Sequence, residues 1–366
     1  MNDQGEASGL VTAQRILDQY KTLSNNEKFE FHTAIFEEFA IDEDTLQKSI
    51  SDWVPGDANS ARKIHFAAEP KSQELIRKIN RVPGATADLV AMWADLLKSA
   101  RQSKSFAGLD EDFKHLFSSW FNRGFLEMRL INWSTPAEVL EKIIAYEAVH
   151  EINGWDDLRQ RVGDPDRRLF AFFHPSMPAE PLIFVQVALT DSIPTSIKSI
   201  LRPDHEQIDP HEAKTAVFYL ISDCQKGLRG ISFGKFLIRQ VVVELQRQLP
   251  GLETFVTLSS IPMLRKWAED AAQDEDSLMT EEESKIVSDL LNDTRPSTEF
   301  AKVLAARYLT KMKRSSGHAF DPVAHFHLGN GASLHAIHPE ADLSDQGLQN
   351  SWGVLANYLY DGRRIE

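Results

Sequence analysis

The chain has 366 residues, enough for two or three domains and for a core that folds unaided. Forty Lys and Arg stand against 54 Asp and Glu, a formal net charge of −14, which is the wrong sign for a general nucleic-acid binder. A single cysteine, Cys224, excludes an intramolecular disulfide and any CxxC metal site, and no apolar run reaches the roughly 18 residues of a membrane span.

Up to about residue 130 the periodicity is helical. Leu89, Val90, Met92, Trp93, Leu96 and Leu97 recur at helical spacing, as do Leu116, Phe117, Trp120 and Phe121. Pro55-Gly56 and Pro83-Gly84 punctuate the run as loops. No clear strand precedes Arg129, so an all-α domain is expected, its aromatic stripes packing as core or, in part, against another copy. Ser134-Thr135-Pro136-Ala137-Glu138 reads as the next helix start, with Thr135 capping, Pro136 at the first helical position and Glu138 completing a capping box.

Then the period changes. Leu169–Phe173, Leu182–Leu189 and Thr215–Ser222 are β-branched, aromatic and apolar, as strands buried on both faces are. An apolar helix containing Phe236, Ile238, Val241, Val242 and Leu245 follows and ends at Pro250-Gly251. Thr254–Leu258 is a further strand. Eight acidic residues between Glu269 and Glu283 predict a solvated connection, with a capping box at Thr280 and Glu283. The last 50 or so residues read as strand and loop.

Two segments carry candidate chemistry. Gln225–Lys235 joins a strand to an amphipathic helix. Its glycines permit a tight turn, and the free N–H groups of a helix start, with Arg229 and Lys235 nearby, suit a diphosphate. The spacing fits neither a Walker loop nor GxGxxG; it is similar to the CoA-diphosphate loop of acetyl-CoA-dependent N-acetyltransferases. Five of the twelve histidines lie between His318 and His338. On a strand, His325 and His327 would share a face. That placement allows a metal site lacking a clear third ligand, or one acid–base histidine with bystanders. Ser259, at a strand end before Ile261-Pro262, is placed to face a cleft, without the GxSxG of a nucleophile elbow.

Taken together, Asn132–Leu140, Glu147-Ala148-Val149-His150, Val187–Thr190, Gly227-Leu228-Arg229-Gly230, Leu258–Pro262, Phe326–Ala332 and Ala356–Tyr360 resemble, in collinear order, the malonyl-CoA decarboxylase family. The likeness spans about residues 110–366; the amino-terminal third shares only helical character. It implies an α+β protein: an all-α domain over residues 1–132, suited to oligomerisation, then a mixed α/β catalytic domain of the N-acetyltransferase (GNAT) type over residues 133–366. It implies a Ser259/His327 catalytic pair with Tyr360 beside it, and an acyl-CoA loop of Arg229, Gly230, Ile231, Ser232, Phe233, Gly234 and Lys235. Many relatives have Leu-Ser-Pro where this chain has Leu-Ser-Ser, and some carry an acidic residue at the position of Ser232. The implied reaction converts malonyl-CoA to acetyl-CoA and CO₂, a step of fatty-acid metabolism. It needs no cofactor and no metal, because the substrate thioester is itself the electron sink.

Expected partners are malonyl-CoA and acetyl-CoA, with no nucleic acid, no membrane and a homo-oligomeric assembly, dimer or tetramer. The polar, acidic Met1–Leu10 lacks the basic and apolar regions of a leader, and the chain stops at Arg364-Ile365-Glu366, so a cytoplasmic location is expected. Two rival functions share the CoA loop. An N-acetyltransferase would need an amine route to the thioester, which Phe326-His327-Leu328 does not suggest. An acyl-CoA sensor would bind without turnover.

Overall fold

The computed structural model describes residues 6–100, 106–147, 150–202, 204–231, 234–274, 278–290 and 295–361. It divides into two compact units. The first comprises Met1–Glu127, Phe173–Leu182 and Gln225–Ser232, and the second Met128–Phe172, Ile183–Cys224 and Phe233–Glu366.

The first unit is helical: α1 (Glu6–Thr22), α2 (Asn25–Glu38), α3 (Glu43–Ser51), α4 (Ala58–Ala67), α5 (Lys71–Ile79), α6 (Ala85–Ala100) and α7 (Ala107–Trp120). Its aromatic stripes are core, as expected. Trp93 stacks on Phe113 at 6.1 Å, and Phe117 meets Trp93 edge-on at 5.2 Å. The Trp93 indole N–H is satisfied by Asp110 at 2.8 Å, so the ring can be buried without an orphaned donor. Two later stretches of chain join this unit. One contains Gly227, whose missing side chain is essential: a Cβ there would lie 2.0 Å from the carbonyl oxygen of Val90 on α6.

The second unit is built on one mixed sheet. Its strands are β1 (Glu127–Ile131), β2 (Arg167–Phe173), β3 (Ile183–Thr190), β4 (Thr215–Asp223), β5 (Thr254–Thr257), β6 (Ser259–Ser260), β7 (Ser333–His338) and β8 (Leu355–Tyr360). The β2–β3 and β3–β4 pairs are antiparallel, whereas β5 lies parallel to β4. A parallel neighbour requires a crossover, and α11 (Gly234–Gln248) provides it. This is the mixed sheet expected for the catalytic domain. The remaining helices are α8 (Ala137–Tyr146), α9 (Trp155–Gly163), α10 (Lys198–Leu201), α12 (Leu264–Ala271), α13 (Glu281–Asp289), α14 (Thr298–Lys311), α15 (Pro322–Gly329) and α16 (Asp345–Ser351). The Thr280/Glu283 capping box forms at the start of α13.

Two local expectations are corrected. Pro136, not Thr135, caps α8, and it offers no side-chain bond; the Thr135 hydroxyl instead accepts the Asn132 N–H at 3.1 Å. His325 and His327 lie on helix α15, not on a strand. The Asp321 carboxylate caps the Val323 and Ala324 N–H groups at 2.9 Å each, and Pro322 opens the first turn. Two residues apart on a helix is roughly 200° around the axis, so the two imidazoles diverge. His327 is buried while His325 is half-exposed, which removes the shared face on which the two-histidine metal reading rested.

Candidate active site

The site begins where β4 and β5 part. They pair in register from Thr215↔Thr254 to Phe218↔Thr257. The last bond between them is Leu258 N–H to the Phe218 carbonyl, 3.0 Å. Beyond it the strands separate, leaving a cleft of about 320 Å³. Phe218–Ile221 and Asp223 of β4 form one wall, Ser259 and Ser260 of β6 another, and Pro322, Val323, Phe326 and His327 of α15 cover it, with His150 at its edge. Among the described residues lining this cleft none is Lys or Arg.

β5 and β6 face β8 in one continuous register, from Phe255↔Tyr360 to Ser260↔Leu355. Between them the ladder is carried by side chains. The Thr257 hydroxyl oxygen accepts the Tyr358 N–H at 3.1 Å, and the Asn357 side-chain amide donates to the Thr257 carbonyl at 2.6 Å. His338 holds the other end of the Asn357 amide.

Thr257 also anchors a line of side-chain hydrogen bonds. Ser259 Oγ–H donates to Thr257 Oγ1 at 2.8 Å. With its one proton on Thr257, Ser259 accepts from His327 Nε2, 3.2 Å away, in the matching imidazole tautomer. The Nδ1 atom is then the acceptor, taking the Tyr360 hydroxyl proton at 2.8 Å. The structure therefore joins Ser259, His327 and Tyr360, the three catalytic residues expected, in one hydrogen-bonded line ending on Thr257.

Burial controls the charges along this line. His327 is fully enclosed, and desolvation pulls its pKa down to about 3, so the resting imidazole is neutral. Burial, reinforced by Tyr358, pushes the Tyr360 phenol above its usual value, so it stays a donor. Two features nonetheless prepare His327 to hold a proton. It lies in the last turn of α15, where carbonyl ends favour a cation. Its ring also stacks on Tyr358, with centroids 4.8 Å apart and planes at 23°.

Two family descriptions match the chain: "Malonyl-CoA decarboxylase N-terminal domain" over residues 39–121 and "Malonyl-CoA decarboxylase C-terminal domain" over residues 124–366. The chain belongs to the malonyl-CoA decarboxylase family. It is 36% identical over 335 residues to the mitochondrial malonyl-CoA decarboxylase of Anser anser anser, the match covering 81% of this chain and 65% of that protein. The corresponding protein of Rattus norvegicus is 36% identical over 332 residues, covering 81% of this chain and 67% of its own. The chain thus spans about two thirds of the length of these curated relatives. Crystal structures of malonyl-CoA decarboxylase from Rhodopseudomonas palustris (43% identity, TM-score 0.95, covering 100% of this chain and 91% of that one) and Agrobacterium vitis (43%, 0.91, 98% and 90%) share its architecture.

Within this member of the malonyl-CoA decarboxylase family, the expected CoA loop is described only in part. Arg229 and Gly230 are exposed, Gly230 has φ +97°, and Ile231 is buried. Ser232 and Phe233, and the side chains of Gly234 and Lys235, lie outside the described residues. Sequence reasoning passed over Thr257 and Tyr358. Thr257 was within reach, since residues two apart on a strand share a face and it precedes Ser259 by two. No sequence signal marks Tyr358 as the plate beneath His327.

Proposed function

We propose that the cleft decarboxylates malonyl-CoA to acetyl-CoA and CO₂, using Ser259 and His327 without a covalent acyl-enzyme and without a cofactor. The observation that carries this reading is the Tyr360–His327–Ser259 line facing a cleft whose described lining has no Lys or Arg.

The malonyl carboxylate enters a cleft whose described lining holds no cationic side chain. The substrate's negative charge raises the His327 pKa, drawing a proton onto the imidazole. The Cα–carboxylate bond then breaks, CO₂ leaves, and the electron pair moves onto the thioester carbonyl as an enolate. Ser259 transfers its hydroxyl proton to the α-carbon and regains one from His327 Nε2. Atoms and charge balance: malonyl carboxylate and one proton give the acetyl methyl and CO₂. Tyr360 keeps Nδ1 oriented throughout, as a second-group orienter does in other histidine pairs.

The diphosphate belongs, in this proposal, to Arg229–Lys235, which follows the cleft-lining β4 in the chain. A cytoplasmic location and a dimer or tetramer are part of the same reading. Exposed Trp53, Val54 and Phe66 in the helical unit support self-association, which light scattering will test. Among the described residues no helix is long and apolar enough to cross a membrane.

Incubation with malonyl-CoA in the presence of a chelator tests the function. Acetyl-CoA and CO₂ should form in equal amounts with no free thiol. Release of free CoA in an amine-dependent manner would point to acyl transfer instead, and binding without turnover would point to a sensor.

A further inference from the structure

We propose that His150 relays the proton consumed in each turnover from solvent into the cleft, an inference that rests on the decarboxylase reading. The reaction demands such a route. Every malonyl carboxylate lost as CO₂ leaves one C–H bond to be formed with a proton from water, yet the line through His327 is closed at both ends, at buried Tyr360 and buried Thr257. Protons must therefore arrive through the cleft itself.

Among the described residues His150 is placed to carry it. It lines the cleft with Ser259 and His327. It also lines a second, larger pocket of about 840 Å³, and among the described residues it alone is common to both. That second pocket is rimmed by exposed residues such as Glu151, Asp156 and Asp345, so it is open to water. Its carboxylates outnumber its cations, which raises the local proton concentration. The backbone of His150 is fixed, its N–H donating to the buried Glu147 carboxylate at 2.9 Å. Its imidazole has no hydrogen-bond partner among the described residues, so both ring nitrogens are free to take and give a proton.

Two charged groups face the ring from neighbouring elements: Asp342, before α16, favours the protonated form, and Arg161 of α9 opposes it. Burial adds to the effect of Arg161 and outweighs Asp342, so the resting ring is neutral and returns its proton readily. The transfer is simple: one ring nitrogen accepts a proton from the acidic pocket, the ring gives one up on the cleft side, and the Ser259–His327 pair is restored for the next substrate.

The test compares wild type, His150→Ala and His150→Gln for acetyl-CoA formation in weak buffer, then with added imidazole. Both variants should lose about tenfold or more in kcat, as loss of a proton-transfer group does, with KM for malonyl-CoA and affinity for CoA unchanged. Imidazole should recover the rate of the Ala variant, and the Gln variant, which keeps most of the volume, should become buffer-dependent where wild type is not. A raised KM at wild-type kcat would make His150 a carboxylate contact and overturn the relay. So would a wild-type kcat, or a loss that neither imidazole nor buffer recovers. A wild-type enzyme that makes no acetyl-CoA would count against the decarboxylase reading instead.

Discussion

His327 stacks on Tyr358 at 4.8 Å and bonds Ser259 through Nε2 at 3.2 Å, so one ring is held by its face and aimed by its edge. Tyr358 reaches that position from β8, yet its own hydroxyl is buried with no partner among the described residues. The plate, not the hydroxyl, is therefore what the site uses. Tyr358→Phe should retain near-normal turnover and gain up to about 1 kcal/mol, because an unsatisfied buried group is removed. Tyr358→Leu should fold and turn over at least about tenfold more slowly, since the imidazole loses its stacking face. Thermal melts and kcat for the two variants check both outcomes.

Thr257 is the acceptor that orients Ser259. Thr257→Val keeps shape and loses the hydroxyl, leaving the buried Tyr358 N–H and the Ser259 hydroxyl without their partner. Stability should fall by about 1–3 kcal/mol. Ser259 becomes free to turn its proton toward Nε2, opposing the resting arrangement, so kcat should drop while CoA affinity holds. Denaturant titration and steady-state kinetics measure the two effects.

The buried imidazole makes stability sensitive to acid in a defined window. Its folded pKa of about 3 lies below the ordinary value of 6.5. The unfolded chain therefore binds a proton that the folded one refuses, and the penalty grows as pH falls from about 6.5 toward about 3, by about 1.4 kcal/mol per unit. Above that window it vanishes. His327→Gln should thus narrow the gap to wild type by about 2 kcal/mol between pH 7 and pH 5. Parallel stability curves for the two proteins across this range would contradict the burial argument.

Gly227 seats its segment against α6 by having no side chain. Gly227→Ala forces a Cβ to within 2.0 Å of the Val90 carbonyl oxygen, a backbone clash that no rotamer relieves. A loss of about 3 kcal/mol or more is expected, at the upper end for single substitutions. Calorimetry tests it, and a wild-type melting temperature would be the contrary result.

Much of this was legible in the sequence because hydrophobic period and burial agree. The apolar runs at 169–173, 182–189 and 215–222 became β2, β3 and β4, and the stripe through Val241 and Leu245 became α11, since strands and helices covered on both sides cannot hide their apolar pattern. The α15 helix was missed because it is short and apolar nearly all round, and the period of two between His325 and His327 suggested a strand. Its Asp321-Pro322 start was the readable counter-signal. The three candidate residues, Ser259, His327 and Tyr360, are suggested by the family resemblance, not by spacing. Ser259 and His327 are 68 positions apart, and nothing local reveals that a parting of β4 from β5 brings them to one cleft.

The most direct test of the account is a double-mutant cycle on Ser259→Ala and His327→Gln, read as kcat for acetyl-CoA formation with CoA affinity measured alongside. Each single variant should lose about 10²–10⁴ in kcat with CoA affinity intact, and the double variant should be no slower than the worse single, because the two groups pass one proton and act as a unit. Independent, multiplying losses, or near-wild-type turnover in either single variant, would contradict it.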